Sequence, residues 1–344
     1  MKNILLNNAD KIEMPIVGLG TWGAEPAEIK NAILTAMDCG YRHIGMYKLV
    51  TPCLTLILDT AFSYNNEEAI GNALKEWFTS GKGRRADVFV TSKLPCVGNR
   101  AEDVERFLKL SLENLQLEYL DLYLIHAPFA FKCDSNFTPQ LEGDGSFVLD
   151  MNDNVLTWKA MEEQVKKGLC RSIGLSNFNA KQLQNIYKAS EIKPAVLQIE
   201  LHAYLQQREL VKLCQQLNIA VTAYSPLGSP GANIYFNTKY NYSLSNFPDI
   251  LRNFEVNEIA HKHNKTPGQI LLKHLIQQDV VVIPKSINPN RIKQNINIFD
   301  FKLSAEELKI LNSLDKGENG RIFYCLFFKG VEKHPEYPFI CKLK

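Results

Sequence analysis

What this 344-residue chain lacks removes several classes of function. Its most apolar short run, Leu54 to Leu58, falls far short of the roughly 20 residues that span a bilayer, so no membrane partner is expected. The N-terminus, MKNILLNNADKIEMP, has polar residues where a signal peptide would carry its apolar core, which points to a cytoplasmic protein. A formal net charge of +2 leaves no electrostatic footprint for nucleic acid or an anionic surface. No two of the eight cysteines form a CxxC pair, so they read as reduced thiols used as small hydrophobes. No strand end carries HxH or HxxxH spacing, so no metal is expected. Low-complexity linkers and charge blocks are missing too, and residues 1–344 are read as a single domain.

What is present is an alternation. Nearly continuous apolar runs at 16–20, 87–93, 120–126, 171–176, 195–200, 220–225 and 280–286 read as parallel strands covered on both faces, with an eighth between Tyr41 and Thr60. Amphipathic stretches separate them. Ile29, Ala32, Ile33, Ala36 and Met37 form one stripe, closed by Gly40, and Val104, Phe107, Leu108, Leu112 and Leu115 form another. Asn288-Pro289 opens a further helix. Eight strands alternating with helices over this length predict an α/β fold of the (β/α)8 TIM-barrel type. An open doubly wound sheet is the rival, but GLGTW lacks the GxGxxG fingerprint and the helix that should follow it. Three segments break the alternation and read as long loops: 127–155, 226–253 and the aromatic tail 316–344. The first two follow strands and should stand over the C-terminal mouth. The tail either folds over that mouth or packs on the barrel's side.

Four residues close or follow consecutive strands: Asp59 and Tyr64 in DTAFSY, Lys93 in FVTSKL and His126 in DLYLIH. In a barrel they face one mouth. Tyrosine titrates near 10, about three units above neutral, and an adjacent ammonium lowers that value, a role for Lys93. A carboxylate, Asp59, would hold the lysine in place and keep it charged. A neutral imidazole, His126, can orient a substrate oxygen. These groups lack a reductant, so a bound hydride carrier is required.

MPIVGLGTW, DTAFSYNNEEAIG, TSKL, LDLYLIH, GLSNF, AYSPLGSP and IPKS…NRIKQN, taken in order, resemble the aldo-keto reductases. The resemblance runs from Lys11 to about Phe339, with one interruption. It implies a barrel that binds NADPH across its mouth and reduces aldehydes or ketones to alcohols, working as a monomer on a small-molecule carbonyl substrate. It makes Tyr64 the proton donor, Lys93 its tuner, Asp59 the lysine's partner and His126 the orienting residue. It also implies cofactor positions. Ser176, Asn177 and Gln198 match the side chains that hold the nicotinamide carboxamide, and Tyr224 matches the ring that stacks on it. Ser225, Leu227 and Ser229 correspond to the pyrophosphate loop. Gly20, Thr21 and Trp22 correspond to a cofactor contact and a pocket wall. Lys285, Ser286 and Arg291 surround the 2′-phosphate, with Gln294 and Asn295 at the adenine.

Four departures stand out. Gly231 replaces an acidic latch and Gln294 a glutamate, which implies a looser cofactor clasp. Ala127 and Pro95 replace larger residues, which points to a pocket wide enough for a bulky ketone such as a steroid.

The interruption is Gly45–Leu58, which separates YRHI from Asp59 and ends in a second strand-like run. About fourteen extra residues cannot sit inside one strand of five or six. Either Tyr41–Ile44 keeps the barrel position and Asp59 is displaced, or Leu54–Leu58 takes it over and Asp59 stays. Hydrophobicity favours the second. A cofactor-binding barrel without turnover, impaired by this insertion, is the alternative function.

Overall fold

In the computed structural model, residues 2–7, 11–39, 56–243 and 249–340 are described. Gly40, the first strand copy at Tyr41–Ile44, the stretch from Gly45 to Thr55, Cys53 and Cys341 lie outside them, as do residues 244–248 of the second long loop.

Eight strands form one parallel sheet: β1 (Gly18–Gly20), β2 (Leu56–Asp59), β3 (Val88–Leu94), β4 (Leu122–Ile125), β5 (Ile173–Ser176), β6 (Val196–Glu200), β7 (Ala220–Tyr224) and β8 (Val281–Val282). Each pairs with its sequence neighbours. Parallel bridges between Val17 and Val282 and between Gly20 and Lys285 bring the two edges together. The result is the (β/α)8 barrel expected from the alternation.

Period-two alternation along the strands sorts side chains to two cores. On β3, Val88 and Val90 pack outward with the helices, while Phe89 lies in the inner cluster. On β4, Tyr123 and Ile125 go outward and Leu122 and Leu124 inward. The helical stripes supply the outer layer. Ile29, Ala32, Ile33, Ala36 and Met37 are all buried on the helix Pro26–Asp38, as are Val104, Phe107, Leu108, Leu112 and Leu115 on Val104–Leu115. The Asn288 side chain caps the helix Pro289–Ile296 by accepting from the amides of Asn290 and Arg291. Proline in that first turn removes an N–H that would have had no partner.

Strand β2 comes from the second copy of the doubled sequence. Gly18 faces Ile57, and Gly20 faces Asp59 on one side while Thr91 faces it on the other. A Cβ on Gly18 would lie 2.6 Å from Cβ of Ile57, so this glycine is what allows the isoleucine to approach.

Three features depart from the sequence expectation. An N-terminal hairpin, Asn3–Leu5 against Glu13–Pro15, brings Leu6, Ile12 and Met14 into the inner core and plugs the barrel floor. Segment 127–155 contains an antiparallel pair, Ala130–Phe131 with Leu149–Asp150. Segment 226–253 contains a helix, Ala232–Tyr240, and a turn of 3₁₀ helix at Ile250–Arg252. The tail lies over the mouth: Phe323, Cys325, Phe327 and Phe328 line the cavity there. Among the described residues, Cys39, Cys96, Cys133, Cys170, Cys214 and Cys325 are free thiols.

Candidate active site

Alternation along the strands also builds the site. With Phe89 pointing inward, Thr91 and Lys93 point inward above it; with Val196 inward, so do Gln198 and Glu200. Strand ends of a parallel barrel share one face, and there Asp59, Lys93 and Gln198 meet.

Asp59 is 3 % exposed, and its two oxygens are committed. Oδ1 accepts from Lys93 Nζ at 2.6 Å, and Oδ2 accepts from Gln198 Nε2 at 2.7 Å. Its backbone carbonyl accepts from both the amide and the hydroxyl of Thr21, at 3.1 and 3.0 Å. Lys93 is fully buried and also donates to the Thr60 carbonyl at 2.7 Å. Burial pulls its ammonium down, but Asp59 and then Tyr64 more than offset this, and the group titrates above its ordinary 10.5. It is a fixed charge at neutral pH.

Tyr64 ends a 3₁₀ turn, Phe62–Tyr64, directly after β2. Thr60 donates to Asn66 Oδ1, and Asn66 Nδ2 donates to the Thr21 carbonyl, each at 3.0 Å, so the turn is tied back to β1. The Tyr64 ring centroid lies 5.1 Å from Lys93 Nζ, close enough for the ammonium's charge to act on the phenol. The sequence expectation was that lysine would bring this phenol down. Lys93 does pull that way, but burial is the larger effect, and the phenol titrates above 10. It is therefore fully protonated at neutral pH.

His126 follows β4, with its ring centroid 5.7 Å from that of Tyr64. Burial, and then the Lys93 charge, lower its imidazole to about 3, so the ring is neutral. Ser63 Oγ stands 3.4 Å from Nδ1, and the His126 carbonyl accepts from Asn177 Nδ2 at 2.9 Å.

These groups open onto a cavity of about 510 Å³, within the usual range for small-molecule sites. Gly20, Thr21, Trp22, Asp59, Tyr64, His126, Ser176, Asn177, Gln198, Tyr224, Ser225, Ser229 and Lys285 all line it. Tyr224 donates to Asn177 Oδ1 at 2.8 Å, which fixes its ring. Asn177 sits in the left-handed region at φ 62°, as do Ser225 at 52°, Gly228 at 72° and Ser229 at 44°. Such conformations cost about a kcal/mol or more each for non-glycine residues and gather at binding loops. Ser229 and Ser225 hydroxyls lie 2.6 Å apart.

Several expected positions have other surroundings. Leu227 packs against the helical cores rather than lining the cavity. Ser286, Arg291, Gln294 and Asn295 lie beyond the cavity, on or just before the helix Pro289–Ile296; Ser286 and Asn295 are buried, Arg291 and Gln294 exposed. Lys285 donates to the Gly23 carbonyl at 3.0 Å. Gly231 is exposed, with open space around its Cβ position.

Sequence reasoning missed the cavity's upper wall. The helix Ala232–Tyr240 contributes Tyr235, Phe236, Lys239 and Tyr240, and the segment after β4 contributes Phe129 and Phe131. It also missed Glu200, although an acidic residue closing an apolar strand is the same signal that marked Asp59. Among the described residues, no cluster of histidine, cysteine or carboxylate groups could hold a metal, and no helix is long and apolar enough to cross a membrane.

Comparison with known proteins gives a consistent result. The family model described as "Aldo/keto reductase family" matches residues 16–316. Aldo-keto reductase family 1 member A1-A of Danio rerio is 44% identical over 334 residues, covering 95% of both chains. The human member A1 is 43% identical, covering 98% of this chain and 97% of its own. Among solved structures, the aldose reductase of Schistosoma japonicum superposes with a TM-score of 0.84 at 39% identity, covering 98% of this chain and 99% of that one.

Proposed function

Because the chain belongs to the aldo/keto reductase family, oxidoreductases acting on carbonyl compounds, we propose that it is an NADPH-dependent aldehyde and ketone reductase with Tyr64 as proton donor. The observation that carries this reading is the buried Asp59–Lys93 pair, with the Tyr64 ring centroid 5.1 Å from its ammonium at the edge of the cavity.

The residues present suit the cofactor. The left-handed loop Ser225–Ser229 and the Tyr224 ring line one side of the cavity, with Lys285 at its edge. Burial chiefly, and Arg291 also, pull the Lys285 ammonium below 10.5 against the opposing pull of Glu28. Two neighbouring cations that repel each other suit a 2′-phosphate, which would relieve the repulsion and favour NADPH over NADH. In this reading Ser176, Asn177 and Gln198 would hold the carboxamide, Thr21 and Trp22 would border the nicotinamide, and Ser286, Gln294 and Asn295 would flank the adenosine end. When bound, NADPH supplies the hydride to the carbonyl carbon.

The chain's own residues handle the oxygen. In the tautomer in which Nδ1 accepts from Ser63, 3.4 Å away, His126 carries its proton on Nε2 and can hydrogen-bond the carbonyl oxygen. Tyr64 gives its proton to that oxygen as negative charge develops there. The Lys93 ammonium stabilises the phenolate left behind, and Asp59 holds the ammonium in place. A high phenol pKa does not obstruct this, because an alkoxide is a far stronger base than a phenolate. Free thiols fit a reducing, cytoplasmic setting. The aromatic walls suit bulky apolar ketones, steroids included. Asp59 keeps its partner despite the insertion, which weighs against a barrel without turnover.

Tyr64→Phe decides the matter. NADPH oxidation with a simple aldehyde should fall by about 10³-fold or more while NADPH still quenches protein fluorescence. Retained turnover in that variant would remove Tyr64 from the donor role.

A further inference from the structure

Glu200 closes β6 and is fully buried, yet it does not line the cavity and has no part in the proton transfer above. Its carboxylate is held by two amides of the tail and by His202. Oε1 accepts from the Ile322 amide at 2.7 Å and stands 2.9 Å from Nε2 of the equally buried His202. Oε2 accepts from the Phe323 amide at 2.9 Å. A carboxylate taken out of water is costly unless its oxygens find donors, and here two of those donors are consecutive backbone amides. Holding both amides of one peptide pair to one carboxylate fixes the orientation of Phe323.

Phe323 is the tail's inner wall. Its ring meets Tyr224 edge-on at 5.6 Å and 83°, and Trp22 at 5.6 Å and 82°. Phe236 of the covering helix also stands 5.6 Å away. The tail is fastened elsewhere as well. Gly320 presses on the Tyr204 backbone upstream, where a Cβ would lie 2.0 Å from a carbonyl oxygen. Downstream, Gln182 donates to the Glu336 carbonyl at 2.8 Å. Among the described residues, Glu200 is the group that hydrogen-bonds the peptide bearing Phe323 to the strand that also carries Gln198, the partner of Asp59.

We propose that Glu200 is a positioning residue for specificity: it clasps the Ile322 and Phe323 amides and thereby sets the cavity wall that bulky carbonyl substrates touch. This rests on the carbonyl-reductase reading. The clasp should be felt only by substrates large enough to touch Phe323, so it acts on KM according to substrate size.

The test compares propanal with naphthaldehyde, together with amide hydrogen exchange on the full chain. In Glu200→Gln, one acceptor becomes a donor facing an N–H. Protection of the Ile322 and Phe323 amides should fall, and KM for naphthaldehyde should rise about tenfold. The propanal constants and the kcat for both substrates should stay within about twofold. Phe323→Ala should raise the naphthaldehyde KM similarly while the Ile322 amide stays protected. Unchanged protection in Glu200→Gln, or an equal loss for both aldehydes, overturns the proposal. If Glu200→Gln does not fold, Glu200→Asp supplies the exchange readout, and an unmoved naphthaldehyde KM in Phe323→Ala overturns the proposal as well. A wild-type protein that reduces neither aldehyde with NADPH would instead refute the underlying reading, and the exchange measurement would still decide the clasp.

Discussion

Replacing Asp59 by Asn tests the centre of the site most directly. The amide keeps the shape of the side chain, and its oxygen can still accept from Lys93 Nζ, now 2.6 Å from a carboxylate oxygen. What disappears is the counter-charge of a fully buried ammonium, while the new NH2 group faces Gln198 Nε2. Leaving one partner of a buried ion pair alone costs about 3–5 kcal/mol. A second limit applies, because Lys93 can escape by losing its proton. From an ordinary value of 10.5, that costs roughly 4.8 kcal/mol at pH 7 and about 2 kcal/mol at pH 9, at about 1.36 kcal/mol per pH unit.

The destabilisation should therefore be several kcal/mol at pH 7 and shrink toward about 2 at pH 9. In the variant, the folded lysine is depressed below its unfolded value, so the unfolded chain binds the extra proton and stability rises with pH over this window. In the wild type, Lys93 is raised when folded, so its contribution is fully present up to the unfolded pKa and is lost only above it. Urea unfolding of both proteins at pH 7, 8 and 9 reads the difference. A cost below about 1 kcal/mol, or one that does not change with pH, would show that Asp59 does not hold Lys93 charged.

Other outcomes follow from single contacts. Ile57 is fully buried on the strand taken from the second copy, so Ile57→Ala should cost about 2–5 kcal/mol in chemical unfolding. A cost under about 1 would mean that Tyr41–Ile44 can take the same place. His126 titrates at about 3 when folded against 6.5 unfolded, so the unfolded chain binds more protons between those values. Stability should fall as pH drops below 6.5, by at most about 1.4 kcal/mol per unit, and His126→Asn should flatten that slope. An identical slope in the variant would mean the ring is already charged. In Gly320→Ala, the new Cβ would meet a backbone oxygen 2.0 Å away. We expect a loss of about 1–3 kcal/mol in thermal melts, and an unchanged Tm would refute the close approach.

The barrel and the meeting of Asp59, Tyr64, Lys93 and His126 at one mouth were legible because both follow short rules. Parallel strands buried on both faces are written as apolar runs, and a strand's last residues share the mouth with those of its neighbours. Asp59, Lys93 and His126 met both conditions. The N-terminal hairpin did not show, because its strands have only three residues each and its turn is polar. The helix Ala232–Tyr240 was hidden for a different reason. It packs Tyr235 and Phe236 on Trp22 and stacks Phe236 and Tyr240 on Phe327, while Ile234 faces solvent at 74 % exposure. Apolar residues on several faces leave no single stripe to read. Thr21 was expected at the cofactor; what the structure shows is that it holds the Asp59 backbone. The balance at Tyr64 could not be read from neighbours in sequence, because the depth of burial that outweighs Lys93 is a property of the assembled mouth.

Strand β2 runs toward the mouth, so its first residue, Leu56, stands at the opposite end of the barrel. Length added ahead of it should leave the chemistry untouched as long as Leu56–Asp59 still pairs with β1 and β3. That makes the approach to β2 a natural graft port. A peptide tag, a reporter or a small partner domain spliced ahead of Leu56 would ride on the floor side of the barrel. Catalysis could then be read out without the passenger ever meeting the substrate.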